Sequence, residues 1–198
     1  MLKHFLSLLI TITSFAAFSQ TTVPEFKSNF RYINGIDTIL KQGVKEYELI
    51  IAFRSFTVNP LGTDYRLLIL NKGSWQRKLF HDKRGYSMQI KDESFETLPT
   101  INATCQALFT RLVAGGLFSI EDDRVYPPCA ERDTVIKGVK RTYSFGVQNG
   151  RQVQIWLITP KKSRRLYYYA PDFYVNYCPP YEDRRALLKL MDLLNQGW

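Results

Sequence analysis

The chain has 198 residues, 45% hydrophobic and 14% aromatic, with 11 glycines and 9 prolines. That composition excludes a collagen-like, low-complexity or intrinsically disordered chain, because enough apolar surface is present to offset the entropy of ordering the backbone. Lysine and arginine number 27 against 18 acidic residues, a formal charge of +9, which points toward anionic partners.

The opening reads as an export signal. Met1-Leu2-Lys3-His4 is basic, Phe5 to Phe15 is apolar apart from Ser7, Thr11, Thr13 and Ser14, and Ala16-Ala17-Phe18-Ser19-Gln20 supplies the small residues of a cleavage site. The apolar run is shorter than the roughly 20 residues needed to cross a bilayer, so residues 1–20 are expected to be a secretory signal peptide. The mature protein is then periplasmic or extracellular, with no transmembrane span. Cleavage removes His4 and leaves His81 as the histidine on which any imidazole chemistry depends.

Residues 21–122 are expected to form a strand-rich unit that closes with a helix over about 97–114. Tyr47, Leu49, Ile51 and Phe53 alternate with Glu48, Ile50 and Ala52, and Tyr65 to Leu70 is apolar on both faces apart from Arg66, so the second run belongs inside a sheet. Asn59-Pro60-Leu61-Gly62 and Asn71-Lys72-Gly73 mark turns, and Trp75 to Phe80 and Tyr86 to Ile90 continue the sheet. Leu98, Ile101, Cys105, Leu108, Phe109 and Leu112 recur at helical spacing, with Gly115-Gly116 as a stop.

Residues 123–198 are expected to form a second strand-rich unit with a C-terminal helix over about 182–195. Thr142 to Val147 and Val153 to Ile158 flank Asn149-Gly150, the strongest short hairpin signal in the chain, and Leu166 to Tyr169 follows the turn at Thr159-Pro160-Lys161-Lys162-Ser163. Leu187, Leu188, Met191 and Leu194 carry the apolar stripe of the last helix. The two units echo each other. Asp37-Thr38-Ile39-Leu40-Lys41-Gln42-Gly43-Val44-Lys45 resembles Asp133-Thr134-Val135-Ile136-Lys137-Gly138-Val139-Lys140, and one register lays Ile101 on Leu187, Cys105 on Met191 and Leu108 on Leu194. Two architectures fit: a tandem duplication, or one domain whose halves resemble each other by chance. Either gives an α+β fold, an antiparallel β-sheet with helices packed on one face.

Three cysteines in an exported chain leave one unpaired. Cys129 and Cys178 both lie in proline-marked connections, and Cys105 lies on the apolar stripe of a helix, so Cys129–Cys178 is the expected disulfide and Cys105 the buried free thiol. Catalytic and cofactor patterns are missing. There is no Gly-x-Ser-x-Gly elbow, no CxxC or HExxH, and no glycine-rich loop between a strand and a helix, so neither a metal site nor a nucleotide cofactor is expected. Glu121-Asp122-Asp123 lacks the spacing of a calcium loop and reads as a solvated turn.

The basic clusters are more informative. Arg77-Lys78 in the first unit and Lys161-Lys162 with Arg164-Arg165 in the second are expected around turns and fall near aromatic residues, among them Tyr167 and Tyr169. Arginine beside tyrosine is the composition of a recognition surface. The sequence therefore points to a secreted, non-enzymatic binding protein. Its expected partner is an envelope or extracellular protein, an anionic glycan or a lipid headgroup, rather than a specific nucleic acid. Two alternatives stand beside it: a cell-envelope hydrolase using carboxylates (Asp82, Asp92, Glu93, Glu96) or a Cys105–His81 pair, and a structural subunit of an envelope assembly.

Overall fold

The computed structural model describes residues 21–29, 36–57, 64–81, 94–123, 131–144, 147–177 and 182–198. The expected signal peptide, the turn at Asn59–Gly62, Tyr86–Ile90, and both Cys129 and Cys178 lie outside the described residues. In chain order the elements are α1 (Ile36–Gly43), β1 (Leu49–Phe56), β2 (Tyr65–Asn71), β3 (Ser74–His81), β4 (Ser94–Leu98) and α2 (Asn102–Ala114). Then come β5 (Glu131–Ile136), β6 (Val139–Ser144), β7 (Gln152–Ile158), β8 (Ser163–Tyr169), α3 (Pro171–Tyr177) and α4 (Glu182–Gln196).

The fold is α+β. Six antiparallel strands form one sheet in the order β4-β3-β2-β1-β7-β8, and β5 and β6 form a separate two-stranded ribbon. The runs that are apolar on both faces occupy the middle of the large sheet. In β1, Leu49, Ile51 and Phe53 enter one core, whereas Ile50 and Ala52 enter the other, because successive side chains on a strand point to opposite faces. Pairing of Ile51 with Leu68 on one side and Leu157 on the other sets the register for both halves.

Helices α2 and α4 cover the first face. Cys105, Leu108, Phe109 and Leu112 of α2 and Leu187, Leu190, Met191 and Leu194 of α4 pack against Leu68, Leu70, Trp75, Val153 and Ile155. The stop at Gly115-Gly116 is a Schellman closure. The Gly116 N–H donates to Val113 O (3.0 Å) and the Leu117 N–H to Leu112 O (3.1 Å), with Gly116 at φ +83°, a conformation that glycine adopts without strain. The helix begins at Asn102 rather than near 97, because Ser94–Leu98 pairs with β3 as an edge strand and Pro99 follows it.

The opposite face carries α1, a helix the sequence pattern did not announce. Ile36, Ile39, Leu40 and Val44 pack on Ile50, Leu67, Ile69, Trp156 and Ile158. The sequence echo therefore has no structural counterpart: its first copy is helix α1, and its second is the β5–β6 hairpin. Strands from both expected units also share the one large sheet, so the structure does not confirm a tandem duplication.

Asn149-Gly150 does not join a hairpin. β6 pairs with β5, and both edges of β7 are taken by β1 and β8. The dipeptide serves a different purpose: Asn149 adopts φ +61°, and a Cβ on Gly150 would lie 2.6 Å from the Ala170 Cβ, so glycine permits a close approach of the chain. The two-residue turns that do close hairpins are Lys72-Gly73 and Lys137-Gly138, all four residues having positive φ as the twist of a tight hairpin requires.

Candidate functional site

The basic and aromatic residues singled out in the sequence fall on separated parts of the sheet. Arg77 and Lys78 are in the middle of β3, not in a turn, and project to opposite faces. Lys161, Lys162, Arg164, Arg165, Tyr167 and Tyr169 lie in the β7–β8 turn or on β8. Strands β2, β1 and β7 stand between β3 and β8, which at a strand spacing of about 4.8 Å separates the clusters by about 19 Å.

Most of these side chains are engaged within the fold. Arg77 lies over the Trp198 ring at 4.7 Å, Lys162 pairs with Glu25 and lies over Phe26, and Arg165 lies over Tyr167 at 5.2 Å. Arg164 is buried, 3% exposed, and donates to Phe118 O (2.7 Å) and Ile120 O (2.6 Å) and to the Glu121 carboxylate (3.2 Å). It ties the loop after α2 to the sheet and presents no surface for recognition. Lys161 is exposed. The Tyr167 hydroxyl donates to Gln152 (2.8 Å) and the Tyr169 hydroxyl to Val147 O (2.5 Å).

The acidic run Glu121-Asp122-Asp123 is not a solvated turn. Asp122 is 2% exposed and accepts the Tyr167 N–H (3.1 Å), while Asp123 accepts the Tyr169 N–H (2.8 Å) and the Arg184 guanidinium (2.9 Å). Farther along β8, Asn29 both accepts the Arg165 N–H (2.8 Å) and donates to Arg165 O (2.8 Å). These side chains stand in for a neighbouring strand and close an edge that would otherwise be open to pairing. Burial also pushes the Tyr168 phenol up, and its hydroxyl donates to Glu121 O (2.5 Å).

The two groups of the candidate hydrolytic pair are each committed elsewhere. Cys105 is free and buried under α2, and burial raises its thiol, which disfavours the nucleophilic thiolate. His81 stands at the end of β3 between two carboxylates, with Nδ1 2.8 Å from Asp64 and Nε2 3.4 Å from Glu96. The hydrogen bond to Asp64 raises the imidazole above its ordinary value, desolvation opposes it, and the Asp64 charge and then Glu96 add to the upward effect. Asp82, Asp92 and Glu93 lie outside the described residues. Among the described residues, no group of three or more His, Cys, Asp and Glu side chains could hold a metal ion, and no helix is long and apolar enough to cross a membrane.

The surface that stands out lies elsewhere, on the β5–β6 ribbon. Its described side chains, Asp133 to Tyr143, are all exposed. They include Val135 (68%), Ile136 (40%), Val139 (56%) and Tyr143 (41%), four of the five large apolar side chains exposed among the described residues. The register places Thr134, Ile136, Val139, Arg141 and Tyr143 on one face and Asp133, Val135, Lys140 and Thr142 on the other. On the second face Lys140 pairs with Asp133 (2.6 Å) and Thr142 donates to it (2.7 Å), which together hold the Asp133 carboxyl below the usual range. The first face carries Arg141 and no acidic residue among its described side chains.

No protein-family model matches the chain, and no curated protein matches it. The ribbon must therefore be read from its own chemistry. A two-stranded hairpin is marginally stable in water by itself, and apolar side chains grouped on one exposed element are the usual mark of an interaction surface. In the sequence, the likeness of Asp133–Lys140 to Asp37–Lys45 masks a second pattern in the same residues. The available signal was Val135-Ile136 and Val139 around Lys137-Gly138: two short β-prone runs joined by a tight turn, apolar and charged on both faces, so that neither face belongs to a core.

Proposed function

We propose that this is an exported, non-enzymatic binding protein that recognises an acidic partner through the β5–β6 arm, with the six-stranded sheet as the body that carries it. The observation that carries this reading is the concentration of exposed Val135, Ile136, Val139 and Tyr143 on one basic element. Lys137, Lys140 and Arg141 surround those apolar groups, and the formal charge of +8 left after removal of residues 1–20 favours approach of an anionic partner. Export rests on the basic, apolar and small-residue order of residues 1–20. Lys161, exposed in the β7–β8 turn, and the half-buried Lys78 extend the basic character without sharing the arm's apolar surface. The hydrolase reading has less support, since both ring nitrogens of His81 face carboxylates and Cys105 is a buried thiol.

The experiment compares mature protein with a triple variant, Val135→Ser, Val139→Ser and Arg141→Glu, as bait in envelope and culture-medium extract. The expected result is a partner held by the wild type, lost by the variant, and released as salt rises. Equal capture by both proteins would overturn the assignment to the arm. Reversing Lys161 and Lys162 serves as the control for nonspecific charge. Arg164 is unsuitable for that purpose, because its replacement would disturb the fold.

A further inference from the structure

The arm has a second recognition element besides its side chains, namely its unpaired backbone. The sheet containing β5 and β6 has only those two strands, so among the described residues no strand pairs with the outer edge of either. The large sheet is managed differently: Asn29, Asp122 and Asp123 bond the outer backbone groups of β8. One edge of the large sheet is closed by dedicated side chains, while among the described residues no strand covers the ribbon's outer edges.

The direction of the open groups follows from the turn. A two-residue turn closes on a hydrogen-bonded pair, here Ile136 with Val139, and bonded and non-bonded pairs then alternate along an antiparallel ladder. Val135↔Lys140 and Asp133↔Thr142 are accordingly the non-bonded pairs, so the N–H and C=O groups of Lys140 and Thr142 point away from β5. The two edges differ in charge. β5 reads Glu131-Arg132-Asp133-Thr134-Val135-Ile136, with two acidic residues, whereas β6 reads Val139-Lys140-Arg141-Thr142-Tyr143-Ser144, with two basic residues and none acidic.

Resting on the binding function proposed above, we infer that the partner is an extended, acidic segment of another protein that adds as a third strand along the outer edge of β6. Strand addition gives affinity through main-chain hydrogen bonds and selectivity through alternate side chains. Opposite charges directly across strands attract, whereas like charges repel, so Arg141, whose face carries no acidic residue among its described side chains, favours a strand bearing Glu or Asp and disfavours pairing with a second copy of β6, while Lys140 is already paired with Asp133. Val139 and Tyr143 offer apolar contact to the alternate residues of the incoming strand on the same face as Arg141.

The test uses full-length mature protein and the short synthetic peptide Val-Thr-Glu-Thr-Val, whose glutamate and two valines share one face as Arg141, Val139 and Tyr143 do, with Val-Thr-Lys-Thr-Val and phosphatidylglycerol vesicles as comparison probes. Amide hydrogen exchange is read at single residues, together with titration for affinity. The glutamate peptide should slow exchange at Lys140 and Thr142 while leaving the inward amides of Val139 and Arg141 unchanged, and the lysine peptide should leave all four unchanged. Thr142→Pro removes an outward donor from an edge strand where proline is tolerated, and it should weaken the peptide by about tenfold. Thr142→Ala keeps the N–H and should bind as wild type; unchanged protection of Val139 and Arg141 in both variants shows that the hairpin is intact. Equal binding by Thr142→Pro, absence of binding by the glutamate peptide, or binding of the vesicles alone would overturn strand addition. Those results are separable from failure of the arm itself, which would appear as natural capture insensitive to the triple side-chain variant.

Discussion

Arg164 offers the sharpest contrast between a residue's sequence context and its role. It stands in a run of four basic residues interrupted by one serine, Lys161-Lys162-Ser163-Arg164-Arg165, yet its guanidinium is buried and bonded to two main-chain carbonyls at 2.7 and 2.6 Å. Hydrogen bonds from a charged donor contribute about 1.5–3 kcal/mol each, so the two total about 3–6 kcal/mol. Alanine also removes the cost of keeping the charge out of water, which offsets part of that loss. The ion pair with Glu121 adds little, because that carboxylate faces solvent. Arg164→Ala should therefore destabilise the protein by about 2–4 kcal/mol. The assay is equilibrium unfolding in urea, read as a fall in midpoint at constant slope, beside Lys161→Ala in the same turn. The exposed Lys161 should change stability by no more than about 0.5 kcal/mol. Arg164→Met, which keeps much of the apolar stem, should recover only a minor part of the loss. Equal midpoints for the Arg164 and Lys161 variants would refute the assignment of Arg164 to the fold.

Other expectations follow from the same geometry. His81 has its folded-state value raised by Asp64 and Glu96, so its contribution to stability is full below its ordinary value of 6.5 and disappears as pH rises through the raised folded-state value. Melting curves of wild type and His81→Gln taken from acid to mildly alkaline pH should converge as pH rises, and a constant gap would contradict this. The effect should shrink with salt, since both carboxylates are partly solvent-facing. Gly150→Ala should cost about 1–3 kcal/mol by forcing its Cβ toward Ala170, measured by denaturant titration, and a neutral result would mean that the chain relaxes there freely. Lys72→Asn should stabilise the β2–β3 hairpin by about 0.5–1 kcal/mol, because asparagine tolerates the observed φ of +49° better than lysine; a lower melting temperature would count against that turn geometry.

Much of the architecture is legible in local pattern. The doubly apolar run Tyr65 to Leu70 could only be satisfied inside a sheet, and β2 is flanked by β1 and β3. The stripes through Cys105, Leu108 and Leu112 and through Leu187, Met191 and Leu194 could only be satisfied by helices laid on an apolar face. Both signals are strong because burial acts on every residue of the period. The candidate site was less legible. Arg164, Arg165, Tyr167 and Tyr169 carry the composition of a recognition surface, but composition does not say which way a side chain points or what already bonds it.

The sequence by itself determined the α+β class, the interior position of β2, the two helices on one face, the helix stop at Gly115-Gly116 and the buried thiol of Cys105, because each follows from the period of apolar residues or the backbone freedom of glycine. Tertiary structure decided the remainder. Asp37-Thr38-Ile39-Leu40-Lys41 and Asp133-Thr134-Val135-Ile136-Lys137 are nearly the same string, yet the first is a helix against Ile50 and Trp156 and the second is an exposed strand paired only with β6. Short segments have weak intrinsic preferences, so the surface available for burial selects their conformation. The same reason places Asp122 and Asp123 at a strand edge and leaves the ribbon's outer edges without a neighbouring strand among the described residues: which backbone groups are paired is known only once the strands have been ordered in space.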